Sequence, residues 1–424
     1  MCIARLSLAP LVLTTLIFAP ATLASDGERT IAEAPVGWDV SAPNYSARAQ
    51  EIALSVDQGT WMNLDVSPDG KRIAFDLLGD IYEIPIEGGE ASPLLSGHAW
   101  EVQPQYSPDG RFLAFTSDRD GADNIWAMEI ANPENKQQIT HERFRLLNNP
   151  TWHPSGHYLA AKKHFTTSRS LGTGEIWLYD ARLAQSLERT NLQGSVLVEK
   201  PTPSFQKELG EPTFSADGRS VFFIQNTTPG NTFIYHEDSN GEVMAIKRYD
   251  LETGEIEKVV GGAGGAVRPT PSPDGKSLAF VKRVRAASRL FILNLESGEQ
   301  TMLVDDLDPD MQETWAVQGA YPTMAWMPDG KTIIYWSKGK IWRVNVASGA
   351  IKNIPFSVND SRTAYPAVEV AVDVAPDTLT TTMPRFGTQS PDSRSIVFES
   401  MGRIYIQRNG ADAQRLTRDS QSAH

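Results

Sequence analysis

One four-residue string constrains the fold of this chain more than any other feature. It reads Ser67-Pro68-Asp69-Gly70, Ser107-Pro108-Asp109-Gly110, His153-Pro154-Ser155-Gly156, Ser215-Ala216-Asp217-Gly218, Ser272-Pro273-Asp274-Gly275, Met327-Pro328-Asp329-Gly330 and Ser390-Pro391-Asp392-Ser393. The copies lie about 40 to 60 residues apart, the spacing of a structural repeat. The chemistry is that of a tight turn. Pro presets the first corner, Asp accepts backbone amides, and Gly tolerates positive φ. Four copies depart from Ser-Pro-Asp-Gly, and two of the departures touch the corner chemistry most directly. Ala216 loses the preorganisation of Pro, and Ser393 puts a side chain where Gly is preferred, so that turn is expected to be strained or of another type.

Each string is followed by an apolar strand, as in Ile73-Ala74-Phe75, Leu113-Ala114-Phe115, Phe222-Phe223-Ile224, Ala279-Phe280-Val281 and Ile334-Tyr335-Trp336. A third strand carries an aromatic near its start, for example Tyr82, Trp126, Trp177, Phe291, Trp342 and Tyr405. A shorter fourth strand often follows a Gly turn, as in Gly254-Glu255-Ile256-Glu257. The unit is a four-stranded antiparallel meander. One such sheet cannot bury both its faces, whereas sheets stacked about an axis can. The expectation is an all-β chain, a β-propeller of seven four-stranded antiparallel blades over residues 51–418. A β-sandwich explains the strands but not the period. The aromatics recur with the blade period and are read as core rather than as a carbohydrate platform. The stretch 180–190 is a candidate short surface helix.

Ring closure is left open by the pattern. Glu51–Val56 could complete the last blade, but Gln414–Thr417 also reads as its fourth strand. Either one outer strand is spare or the ring is incomplete.

Residues 1–24 place Arg5 before the apolar run Leu6–Phe18, with Thr22 and Ala24 at a cleavage-like spacing, which is a secretory signal pattern. A periplasmic or secreted protein without a membrane span after cleavage is expected, with residues 25–50 an N-terminal extension and 419–424 a tail. Cys2, the only cysteine, lies in that leader, so neither a disulfide nor a thiolate site is expected. Lys and Arg total 39 against 52 Asp and Glu, a net charge of −13, which argues against nucleic acid as partner.

The turn strings resemble the TolB-like, WD-type propeller repeats of bacterial exported proteins. Longer strings, 59–70, 163–172, 265–275 and 310–316, resemble the N-terminal propeller of large exported bacterial amidohydrolases. The resemblance spans roughly residues 50 to 418. In that family a metal-dependent barrel, holding a divalent metal such as zinc, follows the propeller. Here no His-x-His pair occurs before His424, so no catalytic or metal residue carries over. The resemblance implies a non-catalytic propeller, without a cofactor in this chain, that docks on or gates an amidohydrolase catalytic domain absent from it. The alternative is a periplasmic TolB-like scaffold for an envelope protein, although TolB-like proteins carry an α/β domain before the propeller. A propeller of a prolyl-oligopeptidase-type serine peptidase ranks last, since no Gly-x-Ser-x-Gly elbow is present.

Other motifs read as structure. His153 and His157 bracket a turn rather than share a helix face. The run 118–123 lacks the series of a calcium loop and reads as a polar hairpin. Gly261–Gly265 lacks the Lys-Ser/Thr of a phosphate cradle and reads as a blade connection. Binding is expected on the face that carries the second-to-third turns and the blade connections, whose long members are 162–174, 226–241, 282–288, 305–320 and 356–383. The candidate partner- or ligand-binding residues there are the basic His164, Arg169, Lys282, Arg283 and Arg285, the acidic Asp310 and Glu313, and Trp315. The opposite charges could hold an anionic group or pair with one another.

Overall fold

A computed structural model describes residues 49–167, 171–182, 193–235, 237–238, 240–365, 373–378 and 380–418. Among these the regular structure is all β. Seven four-stranded antiparallel sheets follow in chain order, spanning 64–95, 101–138, 147–198, 209–260, 267–304, 325–354 and 385–415. The leader, Arg169 and most of the candidate helix 180–190 lie outside the described residues.

The turn strings join the first and second strands of each sheet, as their chemistry requires. In the first copy the Gly70 N–H donates to Ser67 O (2.7 Å), Ser67 Oγ donates to Asp69 Oδ1 (2.7 Å), and Lys71 N–H donates to the same oxygen (3.1 Å). The Ser hydroxyl and the backbone N–H hold Asp69, Asp217, Asp274 and Asp392 below the usual carboxylate range. Ser393 keeps the same turn, with its N–H on Ser390 O at 2.9 Å, and adopts φ +58°. It is therefore strained rather than re-routed. The change Ser393→Gly is expected to stabilise the seventh sheet by about 1 kcal/mol. Urea unfolding followed at that sheet would read it, and an unchanged midpoint would show that the strain is absent.

Second and third strands pair through their aromatics. Phe75 stacks on Tyr82 at 5.9 Å, Phe280 on Phe291 at 5.8 Å, and Phe398 on Tyr405 at 5.9 Å. This is the core role expected of the recurring aromatics, and each fully buried ring stabilises by about 1.5–3 kcal/mol.

The chain divides into two compact units, 1–365 and 366–424. The first holds six blades, and these close a ring on themselves. Blade one meets blade two where Asp65 Oδ2 accepts the Tyr106 N–H (2.8 Å). Blade two meets blade three through Gln103 Oε1 and the Asn149 N–H (2.7 Å). Trp326 Nε1 on blade six reaches Thr270 O on blade five (2.9 Å). The seam between blades six and one is made by Thr323 Oγ1 with the Leu64 N–H (2.8 Å), by Asn63 Oδ1 with the Thr323 N–H (3.1 Å), and by Trp336 Nε1 with Gly59 O (2.8 Å).

Of the two alternatives for the strand before the first turn, the structure shows the spare one. Gln50–Val56 pairs antiparallel with Phe356–Ala364, which in turn pairs in parallel with Gly89–Glu90. It is the spare outer strand. The seventh sheet has its own fourth strand, Gln414–Arg415. Part of the expected 356–383 connection is thus a strand. Two other expected excursions are shorter than the sequence suggested. Strands run to Thr166 and resume at Gly172, and they run to Val284 and resume at Ala287. Among their basic residues Lys162, Lys163 and Arg283 are paired in place, with Glu208, with Glu142, and with Asp310 and Glu313.

Candidate functional site

Numbered from the first residue of each turn string, the inner strands place two columns of side chains toward the ring axis. Four residues before it stand Asn63, Gln103, Asn149, Glu211, Arg268 and Thr323. Two residues before it stand Asp65, Gln105, Thr151, Thr213, Thr270 and Ala325. In blades two to five the upper column sits on a β-bulge, with φ +60° at Gln103, +53° at Asn149, +49° at Glu211 and +55° at Arg268. A Pro follows each of these four residues. The bulge re-aims the side chain along the rim of the channel toward the next blade.

The upper column is largely consumed by this role. Glu211 Oε2 accepts the Arg268 N–H (2.6 Å), and its Oε1 accepts the Ala320 N–H (2.6 Å) and lies 3.0 Å from the Arg268 guanidinium. Arg268 Nε donates to Tyr321 O (2.6 Å). Asp76 holds the Asn63 N–H (2.7 Å) and the Gln103 N–H (2.9 Å), and burial raises its pKa to about 6.

Loop 305–320, between blades five and six, crosses the axis and plugs one end of the channel. Gln318 O accepts from Gln103 Nε2 on blade two (2.8 Å). Val317 O accepts from Lys162 Nζ (2.7 Å) and Asn148 Nδ2 (3.2 Å) on blade three. Trp315 Nε1 donates to Gly172 O (3.2 Å), also on blade three. Gly319, at φ +116°, lies over the Glu211–Arg268 pair, where a Cβ would come within 2.3 Å of the guanidinium. Two ion-pair groups fix the plug. Lys162 pairs with Glu208, both side chains being almost fully buried, and burial raises the Glu208 pKa to about 7 against the opposing Lys162 charge. Arg283 forks onto Asp310, at 2.9 Å from Nε and 2.8 Å from Nη2, and also pairs with Glu313.

Five of the eight sequence candidates thus meet at or beside the plug. Arg283, Asp310 and Glu313 bond to one another. His164 meets Trp315 edge-on, with ring centroids 5.3 Å apart. Burial, then the charges of Lys162 and Arg145, pushes the His164 pKa down to about 4. Lys282 is half-buried beside this cluster in sequence, and Arg285 lies exposed in a two-residue turn at φ +59°. The axial columns escaped notice in the sequence because the copies were compared through their turns. Aligning residues four before the first residue of each string would have exposed the column and its recurrent Pro.

Beyond the plug the channel is a cavity of about 280 Å³, bounded by residues of all six inner strands. Among the described residues no group of three His, Cys, Asp or Glu side chains is placed to hold a metal, and no helix is long and apolar enough to cross a membrane. The other motifs sit where turn chemistry puts them. His153 Nδ1 lies 2.7 Å from Ser155 Oγ, and Gly121 N–H closes the 118–123 hairpin on Asp118 O (2.7 Å).

The buried groups set an acid–base signature. Asp65 and Asp80 are raised to about 7, mainly by burial, as is Glu208. In the window from the ordinary carboxyl range up to about 7, the folded state keeps protons that the unfolded chain has shed, so stability falls as pH rises. Each such group contributes about 1.4 kcal/mol between pH 6 and pH 8. His164 acts oppositely, but only below its unfolded value of 6.5. The thermal midpoint is therefore expected to be higher at pH 6 than at pH 8. Calorimetry at the two pH values tests this, and a higher midpoint at pH 8 would contradict it.

No protein-family model matches the chain. It is 25% identical over 209 residues to the uncharacterized peptidase YuxL of Bacillus subtilis, covering 49% of this chain and 26% of that one. It is 24% identical over 287 residues to tricorn protease homolog 1 of Streptomyces coelicolor, covering 67% and 23%. It therefore spans about a quarter of the length of these relatives. Among solved structures, TolB from Acinetobacter baumannii superposes with a TM-score of 0.50 at 15% identity, over 72% of this chain and 66% of that one. The fold is a TolB-like β-propeller.

Proposed function

We propose that this chain is an exported, non-catalytic propeller that docks through its plugged face on a hydrolase acting on C–N amide bonds. One observation carries the reading. The exposed large apolar residues of the ring concentrate at the end bearing the second-to-third turns and the blade connections. Eight of the fourteen among its described residues lie there, namely Leu78, Trp100, Phe144 (80% exposed), Leu146, Ile234, Tyr235, Val284 and Met311, while Ile52, Tyr158, Val196, Ile256, Met302 and Ile351 are spread over other strands. Below them the channel is closed, so this end offers a surface rather than a passage. Clustered apolar and aromatic exposure is the mark of a protein-binding face. The peptidase names of the two sequence relatives and the amidohydrolase-like strings agree on amide-cleaving chemistry in the partner.

A photo-crosslinker at Phe144, in the native cell envelope, tests the reading. The expected adduct is to a protein with an amide-hydrolase catalytic domain, and the same probe at Lys276, on the opposite turns, gives none. Adducts to envelope proteins without such a domain would favour a TolB-like scaffold instead. Turnover of amide or cyclic-amide substrates by the purified chain with zinc, above a metal-only blank, would overturn the non-catalytic part.

A further inference from the structure

The plug leaves the opposite end of the axis as a pocket, and its charges do not balance. Only three charged residues line it: Asp65, Glu211 and Arg268. Glu211 and Arg268 neutralise each other at the floor. Asp65 remains. Its Oδ1 accepts the Val66 N–H (2.9 Å) and its Oδ2 the Tyr106 N–H (2.8 Å), one bond for each oxygen. A carboxylate offers about four acceptor positions, so two are unused. No Lys, Arg or His among the described residues acts on it electrostatically.

The rest of its column is neutral and hydrogen-bonding. Gln105, Thr151, Thr213 and Thr270 stand at the same level of the repeat, on four successive blades, and all four line the cavity. The walls are Pro rings and the indoles of Trp152 and Trp326. The volume of about 280 Å³ is many times the roughly 10–15 Å³ that holds one water, so a small organic molecule fits.

We propose that this cavity binds a small molecule through a protonated primary amine seated on Asp65. The ammonium brings three donors and no acceptor. One or more meet the free positions of Asp65, and the rest of the ligand lies against the amide and hydroxyl groups that Gln105, Thr151 and Thr213 bring to the cavity wall. An anion would face the unopposed charge of Asp65 and is disfavoured. A neutral ligand leaves the carboxylate desolvated without a partner. Burial holds the Asp65 pKa near 7, so an arriving cation drives its ionisation and releases a proton. This inference is independent of the docking reading, because it uses the other end of the ring.

Isothermal titration of the full chain with three probes tests it: alaninamide, its uncharged N-acetyl derivative, and anionic N-acetylalaninate. Alaninamide is expected to bind at least tenfold more tightly than either of the others. Binding at pH 7 is expected to release a fraction of a proton, read as a dependence of the heat on buffer ionisation enthalpy. Asp65→Asn is expected to weaken alaninamide at least tenfold. Should that variant not fold, Thr213→Val, which leaves Asp65 in place, is expected to weaken it about threefold. Equal binding of the acetylated amide, uptake rather than release of a proton, or no binding of alaninamide would each overturn the proposal.

Discussion

Lys162→Ala is expected to destabilise the ring by about 3–5 kcal/mol, because it leaves a carboxylate buried without its partner. The Lys162 side chain is fully buried and that of Glu208 is 2% exposed. Lys162 also donates to Val317 O, so the same substitution frees a plug carbonyl. Its methylenes fill space as well. A Cβ added at Gly174 would lie 2.7 Å from them, and one at Gly210 would lie 2.9 Å away. Truncation therefore opens a cavity in addition to stranding a charge. The charge and packing parts separate experimentally. Lys162→Met keeps most of the stem, and the pair Lys162→Met with Glu208→Leu removes both charges. The double variant is expected to recover most of the loss, since a buried ion pair is often no better than an apolar pair of similar size. Urea unfolding of the parent, Lys162→Met, Glu208→Leu and the double variant gives the coupling energy. A single alanine variant within about 1 kcal/mol of the parent would mean that water already reaches the pair.

Arg283→Ala is the second large effect, and it is local. Arg283 is 9% exposed and spans Asp310, whose side chain is fully buried, and Glu313 on the crossing loop. Removing the fork leaves Asp310 with Ser288 Oγ (2.6 Å) and the Gln312 N–H (3.1 Å) as partners. The expected loss is about 3 kcal/mol, which corresponds to roughly a hundredfold greater opening of loop 305–320. Hydrogen exchange and limited proteolysis should report that increase within 305–320 and leave the blade cores unchanged. Arg283→Lys is expected to fall between, because a single ammonium cannot hold two oxygens of Asp310 in a fixed fork. Exchange in the loop unchanged by Arg283→Ala would show that Trp315 and the backbone contacts suffice to seat it.

What could be read from the residues alone divides along physical lines. The turn strings were legible because Ser, Asp and Gly perform local chemistry, within five residues, that no distant contact alters. The strands after them were legible because their apolar runs have one use. Lys162, Arg283 and Asp310 were harder. Their charge marks them as surface residues, and only the three-dimensional fold brings Glu208 to one and a crossing loop to the others. The plug itself has no local signature. Asp310, Glu313 and Trp315 were singled out for charge and aromaticity, while the contact that matters most, Val317 O on Lys162, is a backbone carbonyl and cannot be seen in side-chain identities. The partner of Gln50–Val56 was left open for a related reason. A strand pattern states that a segment pairs, but the partner depends on which edge lies nearest.

The small three-stranded sheet outside the blades settles where the chain enters and leaves the ring. Gln50 is the rung partner of Ala364, so the two strand ends lie about 5 Å apart. A ring entered and left through adjacent doorways can be spliced into a single exposed loop of a host protein without stretching either, so the six-bladed body is geometrically suited to insertion as one piece.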